Sequence, residues 1–184
     1  WLKDYFEFPD RLRLHHLDNM RVFLPSGKAY HFDLDAFAGH RLHFDGFLCD
    51  KAIQAGAEIR TGEAMTRIQH QSKLNRDLLV TTKNRYSFDY LIDASGSLAH
   101  VGRLRHGDDE RYRPKDQVPT VYAQVQGEVP ETFDVFLGSV APSGYAWIIP
   151  KGPDTANVGL GVRAGYLKGN LKDHLTEFCD SLNL

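Results

Sequence analysis

Residues 119–163 constrain this chain most. Apolar runs at 119–126, 133–138, 145–150 and 156–163 are separated by turns rich in Gly and Pro. Short strands punctuated this way form an antiparallel sheet. A closing helix is expected over about 170–183, with Leu171, Leu175, Phe178 and Leu182 on one face. In the strand at 145–150, side chains alternate, so Tyr145, Trp147 and Ile149 share one face and Ala146 and Ile148 the other. Two large aromatics side by side make a wall for a flat or long apolar ligand. Core packing is the more usual fate of such a pair. The run Asn157-Val158-Gly159-Leu160-Gly161-Val162 reads as the next strand, and its glycines would let a group approach the sheet closely.

Upstream, residues 1–27 are polar and aromatic and end in the turn Pro25-Ser26-Gly27. A strand is expected at 28–34. Leu42, Phe44, Phe47, Leu48, Ala52 and Ile53 then recur at helical spacing, and Gly56 ends that helix. A strand starts at Ala57–Arg60, and three more follow at 64–70, 77–82 and 86–93. The last carries Leu91-Ile92, apolar on successive residues, so burial on both faces is expected. The charged loop 105–118 is the expected crossing between two parts, 1–104 and 105–184. The fold class is α+β, an α/β piece with a β-meander followed by an antiparallel sheet.

Composition narrows the function. Charged residues are 25% and hydrophobic ones 42% of 184, a globular balance. The net charge of -2 implies no general pull toward nucleic acid. Cys49 and Cys179 form no CxxC pair, and they read as small buried apolar groups in a reducing, cytoplasmic setting. Nine histidines show no HxxxH or HExxH spacing, so no metal site is expected. Ser95 and Ser97 lie outside any GxSxG elbow, against a hydrolase. No apolar run approaches the ~20 residues that cross a bilayer.

Two further places could carry chemistry. Asp93-Ala94-Ser95-Gly96 follows an apolar strand. An acid there can accept a hydrogen bond from a sugar hydroxyl, and small residues after it admit a bulky cofactor to the backbone. The same residues also make an ordinary tight turn. Arg41 stands just before the 42–55 helix, where it could reach a phosphate or simply lie in solvent. Asp45 is expected to complement the helix dipole.

The order of these features is more specific than any one of them. Arg41 to Asp45, with Leu48, Ala52, Gly56 and Ala57, resembles the R-x-x-F-D-x-x-L…A…G-A element of group A flavoprotein hydroxylases and reductases. Asp93-Ala94-Ser95-Gly96-Ser97 resembles their second FAD motif, with Ser95 where Thr or Asp is commoner. Pro142 through Lys151, with Asn157-Val158-Gly159-Leu160-Gly161, resembles the P-x-G-Y-x-W-[IF]-x-P-K…N-V-G-x-G pair of the geranylgeranyl reductase family. The likeness spans roughly 28–183.

That resemblance implies a partial FAD/NAD(P)-binding fold over 1–104 and a substrate-binding sheet with its helix over 105–184. It implies FAD held in part by Arg41, Asp93 and Gly96, and a prenyl or other apolar substrate lined by Tyr145 and Trp147. It implies hydride transfer from reduced flavin to a carbon–carbon double bond, with the proton donor unassigned, and peripheral membrane contact is compatible with so apolar a substrate. The chain opens on Trp1 and holds neither the GxGxxG unit nor a GDAA-type segment. It is therefore expected to be a central piece that does not hold FAD alone. A flavin monooxygenase or halogenase of the same superfamily remains a second reading. A non-catalytic module for an apolar ligand is a third.

Overall fold

A computed structural model describes residues 5–71, 76–97 and 117–184. Two compact units are present, residues 1–51 with 118–184 and residues 52–117. The fold is α+β.

The first unit is built on a six-stranded sheet in the order β2-β1-β7-β8-β9-β6. Its strands are β1 (His15–Phe23), β2 (Ala29–Ala38), β6 (Thr120–Gln126), β7 (Phe133–Phe136), β8 (Tyr145–Pro150) and β9 (Thr155–Gly161). Every pairing is antiparallel except β1 with β7, which is parallel. The helix α2 (Leu171–Ser181) covers one face, with the Asn170 side chain accepting from the Lys172 amide at its start. Beneath it lies the core: Ala146 and Ile148 of β8, Ala156, Val158 and Leu160 of β9, and Leu175 and Phe178 of α2. Phe178 meets Phe136 edge to face at 5.2 Å, and Phe136 stacks on Phe23 at 4.7 Å.

A second apolar cluster forms around α1 (Arg41–Gln54). Phe47 packs with Phe8 and Leu12, flanked by Phe37, Phe44 and Leu48. Leu42 and Ile53, placed on that face by spacing alone, are 81% and 54% exposed. Gly56 ends the helix at φ +94, with its amide and that of Ala57 returning to the carbonyls of Ile53 and Ala52.

The second unit carries a meander, β3 (Met65–Gln71), β4 (Arg76–Thr81) and β5 (Arg85–Ser87), paired in sequence order. Glu63 anchors it, accepting from the hydroxyls of Thr81 and Tyr86 and from the Asn84 amide. The hydrogen bond from Thr81 is the largest cause holding the Glu63 carboxyl below its ordinary value.

Several expectations need correction. The division 1–104 against 105–184 does not follow the chain's connectivity, because β1 and β2 are strands of the same sheet as β6–β9. The chain leaves that unit after residue 51 and rejoins it at 118. Ala57–Arg60 forms no strand, and the strand expected over 86–93 stops at Ser87. Ile92 is 87% exposed rather than buried. A strand persists only where a neighbour takes its backbone hydrogen bonds, and no strand pairs with 88–94 among the described residues. Cys49 is exposed rather than buried, whereas burial pushes the Cys179 thiol up. The charged loop expected over 105–118 lies almost wholly outside the described residues.

Candidate functional site

The sheet face opposite α2 is aromatic and open. Register partners in a sheet point the same way, and Trp147 sits beside Gly159 of β9 on one side and Val135 of β7 on the other. Tyr122 of β6 also pairs with Gly159, and Tyr145 with Gly161. Across β1 the same face continues through Val22 and Met20 to Tyr30 and Phe32 of β2. Tyr145 and Tyr122 are 51% and 65% exposed, and Tyr30 and Phe32 are nearly half exposed. So much exposed apolar surface on one side of a sheet makes it the candidate binding surface. Burial along β6 and β8 alternates accordingly, each inward residue facing α2 and each outward one facing this surface.

Tyr145 and Trp147 share the face as their spacing requires, with ring centroids 5.8 Å apart and planes at 54°. The indole N–H of Trp147 donates to the Asn157 side-chain oxygen at 2.8 Å. Gly159 is obligatory beneath it, since a Cβ there would lie 2.3 Å from Cζ2 of the indole and 2.8 Å from Cβ of Tyr122. Gly144 meets the same limit against the Gly161 carbonyl oxygen, at 1.9 Å. The indole therefore lies low across β9 instead of standing off the sheet.

Arg41 is the first residue of α1 and lies in solvent. Its Nε donates to both carboxylate oxygens of Asp45, at 2.8 and 3.0 Å, and this hydrogen bonding raises the guanidinium pKa. Asp45 thus serves Arg41 rather than the first-turn amides. Asp93 accepts from the backbone amide and hydroxyl of Ser95, at 3.0 and 2.5 Å, which closes the turn. Gly96 follows at φ +82, a conformation that favours glycine, and a Cβ on it would meet nothing within 4 Å. The backbone at 93–96 is therefore open to a flat group, and an exposed guanidinium at a helix start suits a phosphate. Each feature, taken within its own unit, is compatible with part of a flavin nucleotide. Arg41 belongs to the first unit and Asp93 and Gly96 to the second, while Tyr145 and Trp147 share the first.

Sequence reasoning missed Arg21 and Asp134. Arg21 holds Asp134 through both carboxylate oxygens at 2.8 and 2.5 Å, and Thr132 adds a third bond at 2.7 Å. Among the described residues Asp134 is the buried acid, 3% exposed. The partners lie 113 residues apart, so no local signal could pair them. Tyr122 was also missed as part of the open face, although the alternation in Thr120–Gln126 marks it. No group of His, Cys, Asp and Glu suited to a metal occurs among the described residues.

Comparison with known proteins finds a family match over part of the chain. Residues 118–183 match the model of the geranylgeranyl reductase catalytic domain. Over that stretch the chain is similar to the geranylgeranyl reductase family. Over 195 aligned residues it is 28% identical to the digeranylgeranylglycerophospholipid reductase of Methanosarcina acetivorans, covering 98% of this chain and 48% of that protein. Digeranylgeranylglycerophospholipid reductase 1 of Methanothermobacter thermautotrophicus is 31% identical over 180 residues, 90% of this chain and 44% of its own. The chain thus spans about half the length of the curated reductases it matches. In fold, it matches a geranylgeranyl bacteriochlorophyll reductase-like protein from Thermoplasma acidophilum with TM-score 0.81 and 22% identity, over 98% of this chain and 49% of that one. It also matches the flavin-dependent halogenase CmlS with TM-score 0.67 and 19% identity, over 92% and 33%. The reductase family's matched domain contains both Trp147 and the open face of β6–β9.

Proposed function

We propose that this chain is the central part of an FAD-dependent reductase that saturates prenyl double bonds, and that the open face of β6–β9 receives the prenyl chain. The observation that carries this reading is the pairing of Tyr145 and Trp147 over a glycine floor on the uncovered side of the sheet. An isoprenoid chain is long and apolar, and an aromatic wall desolvates it without asking for hydrogen bonds. Bound flavin would supply hydride. The chain's own residues bind and orient. Arg41 would contact the phosphate and ribityl region, Asp93 and Gly96 would present backbone and carboxylate to the nucleotide, and Tyr145 and Trp147 would exclude water from the reacting bond.

Halogenases share the fold, and the alternative of a flavin monooxygenase or halogenase uses the same Arg41 and Asp93 elements. The match over 118–183 favours the reductase. A module that binds an apolar ligand without catalysis would use the same face and lack turnover.

The test uses the longer protein that contains this chain, with flavin content measured alongside steady-state kinetics. Trp147→Ala is expected to keep flavin and its reduction by a small donor while losing prenyl turnover. Asp93→Ala is expected to lose flavin first. A truncated indole could cost roughly 3–5 kcal/mol of stability, so thermal unfolding is measured on both variants. Full prenyl turnover at unchanged KM in folded Trp147→Ala would make Trp147 a packing residue and remove the support for the prenyl site.

A further inference from the structure

Resting on the reading of β6–β9 as the prenyl face, we propose that Asn157 is a positioning residue. It sets the tilt of the Trp147 indole and, with Gly159, presents the ring's flat side to the ligand. Three observations meet at this point. The Asn157 side-chain oxygen accepts the indole N–H at 2.8 Å. Gly159, two residues along the same strand, leaves a hollow that the six-membered edge of the indole fills, with Cζ2 2.3 Å from where a Cβ would stand. Tyr122 closes the far side of that hollow, its Cβ 2.8 Å from the same point. The indole is therefore held at its pyrrole edge by a directional bond and at its benzene edge by shape.

A tryptophan carries two side-chain torsions, and here the hydrogen bond and the hollow fix them together. Without the bond, the ring would be free to stand up from the sheet, breaking the level surface a prenyl chain needs. The N–H would also lose its partner as the ligand excludes water. Asn157 itself need not touch the ligand. Its effect reaches the ligand through Trp147, and so it is separable from a general effect on β9.

The experiment uses this 184-residue chain with Trp1→Phe, which leaves Trp147 as its single tryptophan. Geranylgeraniol is the probe, its affinity read by Trp147 fluorescence, with near-ultraviolet circular dichroism reporting the order of the ring. Asn157→Leu is expected to flatten the indole dichroism and weaken geranylgeraniol about tenfold, the scale of one buried hydrogen bond and its unpaired donor. Asn157→Asp, which keeps an acceptor, is expected to restore both. Gly159→Ala fills the hollow and is expected to reproduce the loss with Asn157 intact. In a Trp147→Phe chain, with binding followed through tyrosine emission, Asn157→Leu is expected to add nothing further. An equal loss in both backgrounds would mean that Asn157 only supports the strand, and would overturn the proposal. Unchanged dichroism in Asn157→Leu would overturn it as well, whatever the binding result. If the unsubstituted chain fails to bind geranylgeraniol, this face does not take a prenyl chain by itself, and the prenyl reading is decided by the kinetics of Trp147→Ala in the longer protein. The positioning claim is then decided by the dichroism alone.

Discussion

Asp134 shows how one side chain can hold a sheet together. It is nearly fully buried, and its charge is met by the Arg21 fork and the Thr132 hydroxyl. Removing one partner of such a pair strands the other in a poor solvent. Arg21→Ala is expected to destabilise the first unit toward the low end of ~3–5 kcal/mol, because the guanidinium is about a third exposed and partly screened. Urea unfolding followed by circular dichroism would measure it. Arg21→Met, which keeps an apolar stem but loses the guanidinium over Phe23, is expected to recover little of the loss, because the stranded carboxylate dominates. A second residue-scale outcome concerns Glu63, whose folded pKa lies below its ordinary value of about 4.5. A lowered carboxyl pKa adds stability above that ordinary value and loses it as pH falls through the folded one. Glu63→Gln is therefore expected to flatten the fall in melting temperature of the meander below about pH 4.5, and thermal scans across that range would show it.

Among the elements, α2 carries the core through a narrow stripe. Phe178 fills the space between Phe136 and the sheet, and Phe178→Ala is expected to cost about 3–5 kcal/mol, a loss that thermal unfolding would reveal. Leu42→Ala on α1, which empties no packed space, is expected to leave the melting temperature nearly unchanged. The contrast between elements also explains what could be read in advance. Strands β8 and β9 and helix α2 announce themselves because each meets a core on one side and an open side on the other, so polarity alternates with the local period. The pairing of Tyr145 with Trp147 follows from that period alone. Strand β1 does not announce itself. Its sequence His15-His16-Leu17-Asp18-Asn19-Met20-Arg21 mixes polar groups on both faces, and Arg21 makes sense only beside Asp134. The segment 86–93 misleads for the opposite reason. Its apolar pair Leu91-Ile92 has the composition of a strand buried on two faces, yet composition cannot supply the neighbouring strand. Arg41 was legible as a helix-start cation but not as the partner of Asp45, a choice made by rotamer rather than by pattern.

For the whole molecule, the decisive fact is that the main sheet is assembled from both ends of the sequence. A chain cut to residues 118–184 would keep β6–β9 and α2 but expose the flank of β7 and the carboxylate of Asp134. Such an edge recruits other chains. That piece is expected to aggregate, whereas the full chain stays dispersed, and light scattering at matched concentration would distinguish them. Pairing β1 with β7 also sets an order in time. Ribosomes make roughly 5–20 residues per second, so the β1–β2 hairpin emerges several seconds before the strand that must lie beside it. Throughout that interval β1 has an unpaired side, and its arginine waits without the acid that will hold it. Sheets closed by contacts so distant in sequence fold slowly, because a long loop must be gathered before any bond rewards it. The vulnerable period of this protein is thus written into its strand order, and its birth, more than its mature state, is where a chaperone would matter.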